Sequence, residues 1–156
     1  NSLMLKNSLL TKYGSKAFFY EIFSDKKVDD NISKNLLISK LNDKCNGKPP
    51  SFDLTLLGLG DDGHTASLFP YQKDNNADDY VIFNEGKGLK RISLTPKVLS
   101  ASSKIIFLVS GASKQLALKR LLDKDESQER TPSKLIKSSN QISIFCDEES
   151  SKELSI

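Results

Sequence analysis

The sequence predicts an α/β fold built on a parallel sheet, and three observations carry that expectation. Strand-like and helix-like segments alternate along the 156 residues. Two short apolar runs, Leu54-Thr55-Leu56-Leu57 and KIIFLV at 104–109, read as strands buried on both faces, the pattern of a parallel sheet. The first run ends in Gly58-Leu59-Gly60-Asp61-Asp62-Gly63-His64. That is a glycine turn carrying ionisable groups at the carboxyl end of a strand, where open α/β sheets bind ligands.

Each element has its own reason. Leu3, Met4, Leu9, Leu10 and Tyr13 fall at roughly helical spacing, with Gly14 as a natural stop. Residues 17–23 are aromatic-rich and short, so they read as a strand or extended segment. Over 28–45 the residues Ile32, Leu36, Leu37 and Leu41 form one face of an amphipathic helix, with Asp29, Asp30 and Asn31 at its start. Residues 46–50, NGKPP, turn the chain into the strand at 54–57. Thr65 is placed to cap a short helix that Pro70 stops. Residues 71–79 read as a polar loop, 80–83 as extended and 90–95 (KRISLT) as a strand by its alternation. Pro96 opens a helical turn to about Ala101. Leu116, Leu118, Leu121 and Leu122 mark a helix after the strand at 104–109, and 123–130 is a charged loop. A short helix at 132–137, a strand at 141–146 and a helix from Asp147 complete the chain.

The length suits one domain, residues 1–156, with a real core and no internal repeat or linker. The net charge is only +3 and the lysines are scattered, which argues against a nucleic-acid surface. No apolar run approaches the ~18 residues of a membrane span, and no signal-peptide pattern is present. Cys45 and Cys146 lie too far apart in sequence to be a disulfide framework, so both are expected reduced in a cytoplasmic protein. One histidine and no close cysteine pair leave too few soft ligands for zinc. The chain begins at Asn1 rather than Met, so it is expected to be processed or part of something longer.

The glycine turn satisfies GxGxxG after a strand, which suggests a dinucleotide site. Two acidic residues in the turn would repel a pyrophosphate, and Pro70 cuts the following helix too early. The other reading makes Asp62 and His64 an acid/base pair, Asp62 orienting the imidazole or a water. His64 is the only histidine, and so the first candidate for proton chemistry near neutral pH. A core histidine satisfied at a strand end is the alternative. Arg91 opens a strand, and Lys114 lies in the first turn of the helix after Val109-Ser110-Gly111, a place where anions bind. Together with the strand-end Asp62-Gly63-His64 they suggest a phosphorylated small molecule beside a base.

Three stretches resemble the 6-phosphogluconolactonase family: LGLGDDGHTASLFP, RISLTPKVLSASSKIIFLVSGASKQLALKRLL and TPSKLIKSSNQISIFCDEESSKEL, which together cover most of 52–154. The fold this implies is Rossmann-like, a parallel sheet with helices on both faces, here lacking its N-terminal strands. Family domains open with a strand and a Ser/Gly-rich phosphate loop that this sequence does not contain. Residues 1–10 resemble the crossover helix after the family's third or fourth strand, so the chain looks like the C-terminal two-thirds of the domain. By itself it is expected not to be a competent lactonase.

The activity implied by the resemblance is hydrolysis of 6-phospho-D-glucono-1,5-lactone, without metal or redox cofactor. His64 would act as base and Asp62 as its orienter. Backbone N–H groups of Gly58 to Gly60 would stabilise the oxyanion, and Arg91 and Lys114 would hold the 6-phosphate. A small sugar phosphate is thus the expected partner, and glucose-6-phosphate dehydrogenase, fused or associated, is a second one. Two alternatives stay open. The related glucosamine-6-phosphate deaminases carry an Asn-Glu-Pro ending where this chain has Ser67-Leu68-Phe69-Pro70, and no Glu follows His64 before Glu85. A non-catalytic sugar-phosphate-binding module would bind without turnover in a titration.

Overall fold

The computed structural model describes residues 2–16, 18–20 and 29–154, and these fall into two compact units, Asn1–Leu37 and Ile38–Ile156. In the first, a helical run passes from α1 (Ser2–Leu5) through a wide turn at Lys6–Leu10 and α2 (Thr11–Tyr13) to a 3-10 turn at Gly14–Lys16. Gly14, expected to stop the helix, keeps helical backbone at φ −61° and ψ −23°. The extended segment expected over 17–23 lies outside the described residues except for 18–20, which are irregular. α3 (Asp30–Lys44) crosses the division between the units. Asp29 caps it as the sequence suggests, its Oδ1 accepting the Asn31 amide at 2.8 Å.

The second unit holds the sheet. β1 (Thr55–Gly58), β4 (Ile105–Val109) and β5 (Ile142–Cys146) pair in parallel in the order β1-β4-β5. β2 (Val81–Gly86) and β3 (Leu89–Leu94) form a separate antiparallel hairpin. Lys87 and Gly88 turn it with φ of 53° and 70°, the two-residue geometry that matches strand twist. α4 (Pro96–Ser100), α5 (Gln115–Leu122) and α6 (Glu148–Ser151) complete the alternation. The α/β class with parallel strands read from the sequence is therefore the observed one.

Because strand side chains alternate, one face of the sheet carries Leu57, Ile105, Phe107 and Val109 into a core shared with Ile82, Leu99, Ala117, Leu118 and Ile136. The opposite face differs from expectation. Leu56, Leu108 and Phe145 are 58%, 52% and 61% exposed, so β1 and β4 are buried on one face only among the described residues. No helix there is long and apolar enough to cross a membrane.

The charged loop after α5 is anchored by a buried carboxylate. Arg130 donates from Nε to Glu126 Oε1 at 2.7 Å and from Nη2 to Oε2, and Thr131 Oγ1 donates to Oε1 at 2.9 Å. The Arg130 hydrogen bonds hold the Glu126 carboxyl at about 2, against burial that pushes it up. A depressed carboxyl stabilises the fold above its unfolded value and loses that contribution as pH falls through its folded one. The apparent stability should thus decline from near 4.5 toward about 2. Glu126→Gln should remove that part of the decline in acid-unfolding curves; unchanged curves would show that the carboxylate is not the anchor.

Candidate active site

Parallel pairing sets the position of the site. The strand ends of β1, β4 and β5 lie at one edge, so the turn after Gly58, the Ser110–Lys114 loop and Asp147 gather there. Asp147 ties two of these together: Ser110 Oγ donates to its Oδ2 at 2.6 Å and the Gly111 amide at 3.0 Å. It also caps α6, accepting the Ser150 amide at 2.9 Å. The Ser110 hydroxyl, followed by the bonds from Ser150 and Gly111, holds the Asp147 carboxyl far below its usual range.

Within the β1 turn, Asp62 and His64 come together. His64 Nδ1 lies 2.5 Å from Asp62 Oδ1, and the His64 amide donates to the same oxygen at 3.0 Å. Burial pushes the Asp62 carboxyl up. The hydrogen bonds from the His64 amide and ring outweigh it and leave the group below its ordinary range. An ionised Asp62 accepts only, so Nδ1 carries the proton and donates. That tautomer leaves the Nε2 lone pair to act on a substrate or water.

The turn reaches this geometry through its glycines and its neighbours. A Cβ on Gly60 would fall 2.0 Å from His64 Nδ1 and 2.7 Å from Asp62 Oδ1, so the position is glycine for space. The Gly60 N–H, expected to face an oxyanion, instead donates to the His64 carbonyl at 2.8 Å. Folding back to close the turn takes that donor. Gly58 presents the opposite case, because a Cβ there would meet nothing within 4 Å. Gly63, at φ 91°, packs against Thr131, and its carbonyl accepts the Ser133 amide at 3.1 Å. The short helix expected from Thr65 is absent. Thr65 pairs with Leu68 in a tight turn, and its hydroxyl donates to the Gly58 carbonyl at 2.8 Å rather than capping a helix.

The two cations sit on different elements. Arg91 lies on β3 opposite Asn84, and its Nε is buried without a hydrogen-bond partner among the described residues. Lys114 ends the turn that leads into α5 and contributes to lowering the Asp61 carboxyl, chiefly held down by the hydrogen bond from Lys87. Lys114 is thus brought within electrostatic reach of the turn. Arg91 connects to it through the hairpin, where Asn84 Nδ2 donates to the Ser67 carbonyl at 2.8 Å. The concavities of about 400 and 330 Å³ are lined by neither Asp62, His64, Arg91 nor Lys114. They carry no part of this constellation. Among the described residues no three of His, Cys, Asp and Glu group to hold a metal ion.

Sequence reasoning did not single out Phe69, whose ring stands 4.6 Å from the His64 ring centroid. It also passed over Thr131 behind Gly63. Both stood inside quoted motifs, but nothing in their spacing marked them as neighbours of His64.

Comparison with known proteins adds to this geometry. The family model described as glucosamine-6-phosphate isomerases/6-phosphogluconolactonase matches residues 1–144. A 6-phosphogluconolactonase of Synechocystis sp. is 37% identical over 109 residues, covering 69% of this chain and 45% of that protein. The crystal structure of 6-phosphogluconolactonase from Thermotoga maritima superposes with a TM-score of 0.67 at 25% identity, covering 78% of this chain and 53% of that one. The enzyme from Leishmania guyanensis shares the fold with a TM-score of 0.80 at 19% identity, covering 100% and 69%. The chain spans about half the length of the curated relatives it matches.

The two glycines separate space from conformation. Gly60→Ala should destabilise by about 1–3 kcal/mol through overpacking, and Gly58→Ala should change stability by less than about 1 kcal/mol. Urea unfolding of both variants checks this. Equal effects would mean that the imidazole does not occupy the space beside Gly60.

Proposed function

The chain belongs to the glucosamine-6-phosphate isomerase/6-phosphogluconolactonase family, and within it we propose that the protein hydrolyses 6-phospho-D-glucono-1,5-lactone to 6-phosphogluconate. One observation carries the reading: the 2.5 Å contact of Asp62 Oδ1 with His64 Nδ1 fixes the only imidazole of the chain with Nε2 free to accept a proton. The lactonase relatives support the substrate class.

In this mechanism Nε2 of His64 takes a proton from water as the water oxygen bonds to the lactone carbonyl carbon. The tetrahedral adduct then collapses, the bond from that carbon to the ring oxygen breaks, and His64 returns the proton to the ring oxygen. The product is the open-chain acid, and the base is regenerated. Asp62 keeps the ring in the productive tautomer and offsets the positive charge that develops on it. Base catalysis of this kind contributes about 10²–10⁴-fold. δ-Lactones already hydrolyse slowly in water, so a single well-placed base meets the chemical demand.

Arg91 and Lys114 hold the 6-phosphate. The Nε of Arg91 is a donor with no partner among the described residues. Gly58, open on its Cβ side, leaves room for the sugar ring to approach the backbone. Holding the phosphate places the carbonyl against Nε2, a positioning effect. The oxyanion donor is not the Gly60 amide, which is already committed. The same reading includes a cytoplasmic setting, for which the free thiols of Cys45 and Cys146 are the support. It also includes association with or fusion to glucose-6-phosphate dehydrogenase, whose reaction supplies the lactone.

His64→Ala in the complete gene product should lower kcat by about 10²-fold or more with the fold unchanged; near-full activity above spontaneous hydrolysis would remove His64 from the base role. Arg91→Ala and Lys114→Ala should each cost roughly 1.5–3 kcal/mol in kcat/KM on the phosphorylated lactone. Unphosphorylated gluconolactone should be little affected. Equal losses on both substrates would exclude phosphate binding by these residues.

A further inference from the structure

The β2–β3 hairpin holds the segment around His64 at three points. On one side, Lys87 at the hairpin tip donates to Asp61 Oδ1 at 3.3 Å. On the other, both strands hold Ser67. Asn84 Nδ2 donates to its carbonyl at 2.8 Å and Ser93 Oγ accepts its amide at 3.1 Å. Asn84 also donates to Asn75 Oδ1 at 2.8 Å, and Asn75 in turn donates to the Phe69 carbonyl at 2.7 Å.

The third point is steric. A Cβ on Gly86 would fall 2.2, 2.3 and 2.5 Å from three ring carbons of Phe69. No side chain fits at Gly86 while Phe69 keeps its place. Gly86 is not among the positive-φ glycines, and it pairs regularly with Leu89 in the ladder. Its backbone conformation therefore gives no reason for glycine, and the ring does. Phe69 is buried, and its ring lies 4.6 Å from that of His64 at an interplanar angle of 35°. Such an aromatic contact is directional as well as apolar. His64 is thus bounded at its Nδ1 edge by the Gly60 backbone and beside its ring by Phe69, which rests on the Gly86 backbone.

We infer that Phe69 and Gly86 are positioning residues for His64: the hairpin, pressing through the Phe69 ring, fixes the plane in which the imidazole presents Nε2. The inference rests on the reading of His64 as the base. Neither residue touches the reacting atoms; each acts through the imidazole. Arg91 stands on the same hairpin, opposite Asn84, so the element that sets the base also carries a proposed phosphate ligand.

The test measures kcat and KM for the complete gene product and for Phe69→Leu, Gly86→Ala, the double variant Gly86→Ala/Phe69→Leu, and His64→Ala as control. Gly86→Ala should lower kcat by about 10–10²-fold, the scale expected when a reacting group is displaced by roughly 1 Å, with KM little changed. Phe69→Leu should lower kcat in the same way and by less. The double variant should lose less than the product of the two single losses, because Leu makes room for the new Cβ. A purely structural role would lower thermal stability without this rescue in kcat. The NMR signals of the His64 ring protons give a second readout. The His64→Ala control identifies them by their loss, and Phe69→Leu should remove their aromatic ring-current shift. This holds even where Gly86→Ala does not fold. Wild-type kcat in Gly86→Ala and Phe69→Leu, multiplicative losses, or unchanged ring-proton shifts would each overturn the inference. A wild-type kcat in His64→Ala would overturn the base reading instead.

Discussion

The imidazole of His64 lies where the side chain of residue 60 would otherwise be, and much of the local structure follows from that one close approach. Only a glycine leaves a ring nitrogen that near the backbone. With the space open, the turn folds back until the His64 carbonyl meets the Gly60 amide and the ring meets Asp62. A single carboxylate oxygen then receives two N–H groups from one residue, fixing that residue in both backbone and ring. The supports are arranged around this pair. Thr65 ties the outgoing chain to the end of β1, Ser133 holds the Gly63 carbonyl, and the hairpin holds Asp61 and Ser67. His64 is held by short-range contacts on several elements, the kind of over-determination that a precise site requires.

Electrostatics at the strand ends and in the loop after α5 follows one rule. Each low-lying carboxyl is held by donors rather than left to solvent: Asp62 by His64, Asp147 by Ser110, Ser150 and Gly111, Glu126 by Arg130 and Thr131. These negative groups brace loops. Of the two cations proposed to bind substrate, Arg91 differs, since its buried Nε has no partner among the described residues. A buried, unsatisfied donor is costly within the fold, and a ligand phosphate would satisfy it.

Much of this was legible in the sequence because it depends on local pattern. Apolar runs gave β1 and β4 their places, Asp29 marked a helix start, and the strand-end Asp62-Gly63-His64 marked the two side chains that the fold brings into contact. What escaped depended on tertiary neighbours. A continuous apolar run looks the same whether one face or two are covered, so the exposure of Leu56 and Leu108 could not be read from it. Thr65 has the chemistry of a cap, but the Gly58 carbonyl claimed its hydroxyl. Gly60 was read for its N–H, and its importance is its missing side chain. Gly86 carried no signal in the sequence, and only the position of the Phe69 ring gives it meaning.

The central claim is that Asp62 fixes neutral His64 with the proton on Nδ1 and the lone pair on Nε2. Long-range ¹⁵N–¹H correlation spectra report the tautomer directly, and the loss of signals in His64→Ala makes the assignment. Recorded on the neutral ring, the spectra should show a protonated Nδ1 and a bare Nε2, and Asp62→Asn should disturb that pattern. A protonated Nε2 in the unaltered protein would contradict the account, because the atom proposed to take the proton from water would already hold one.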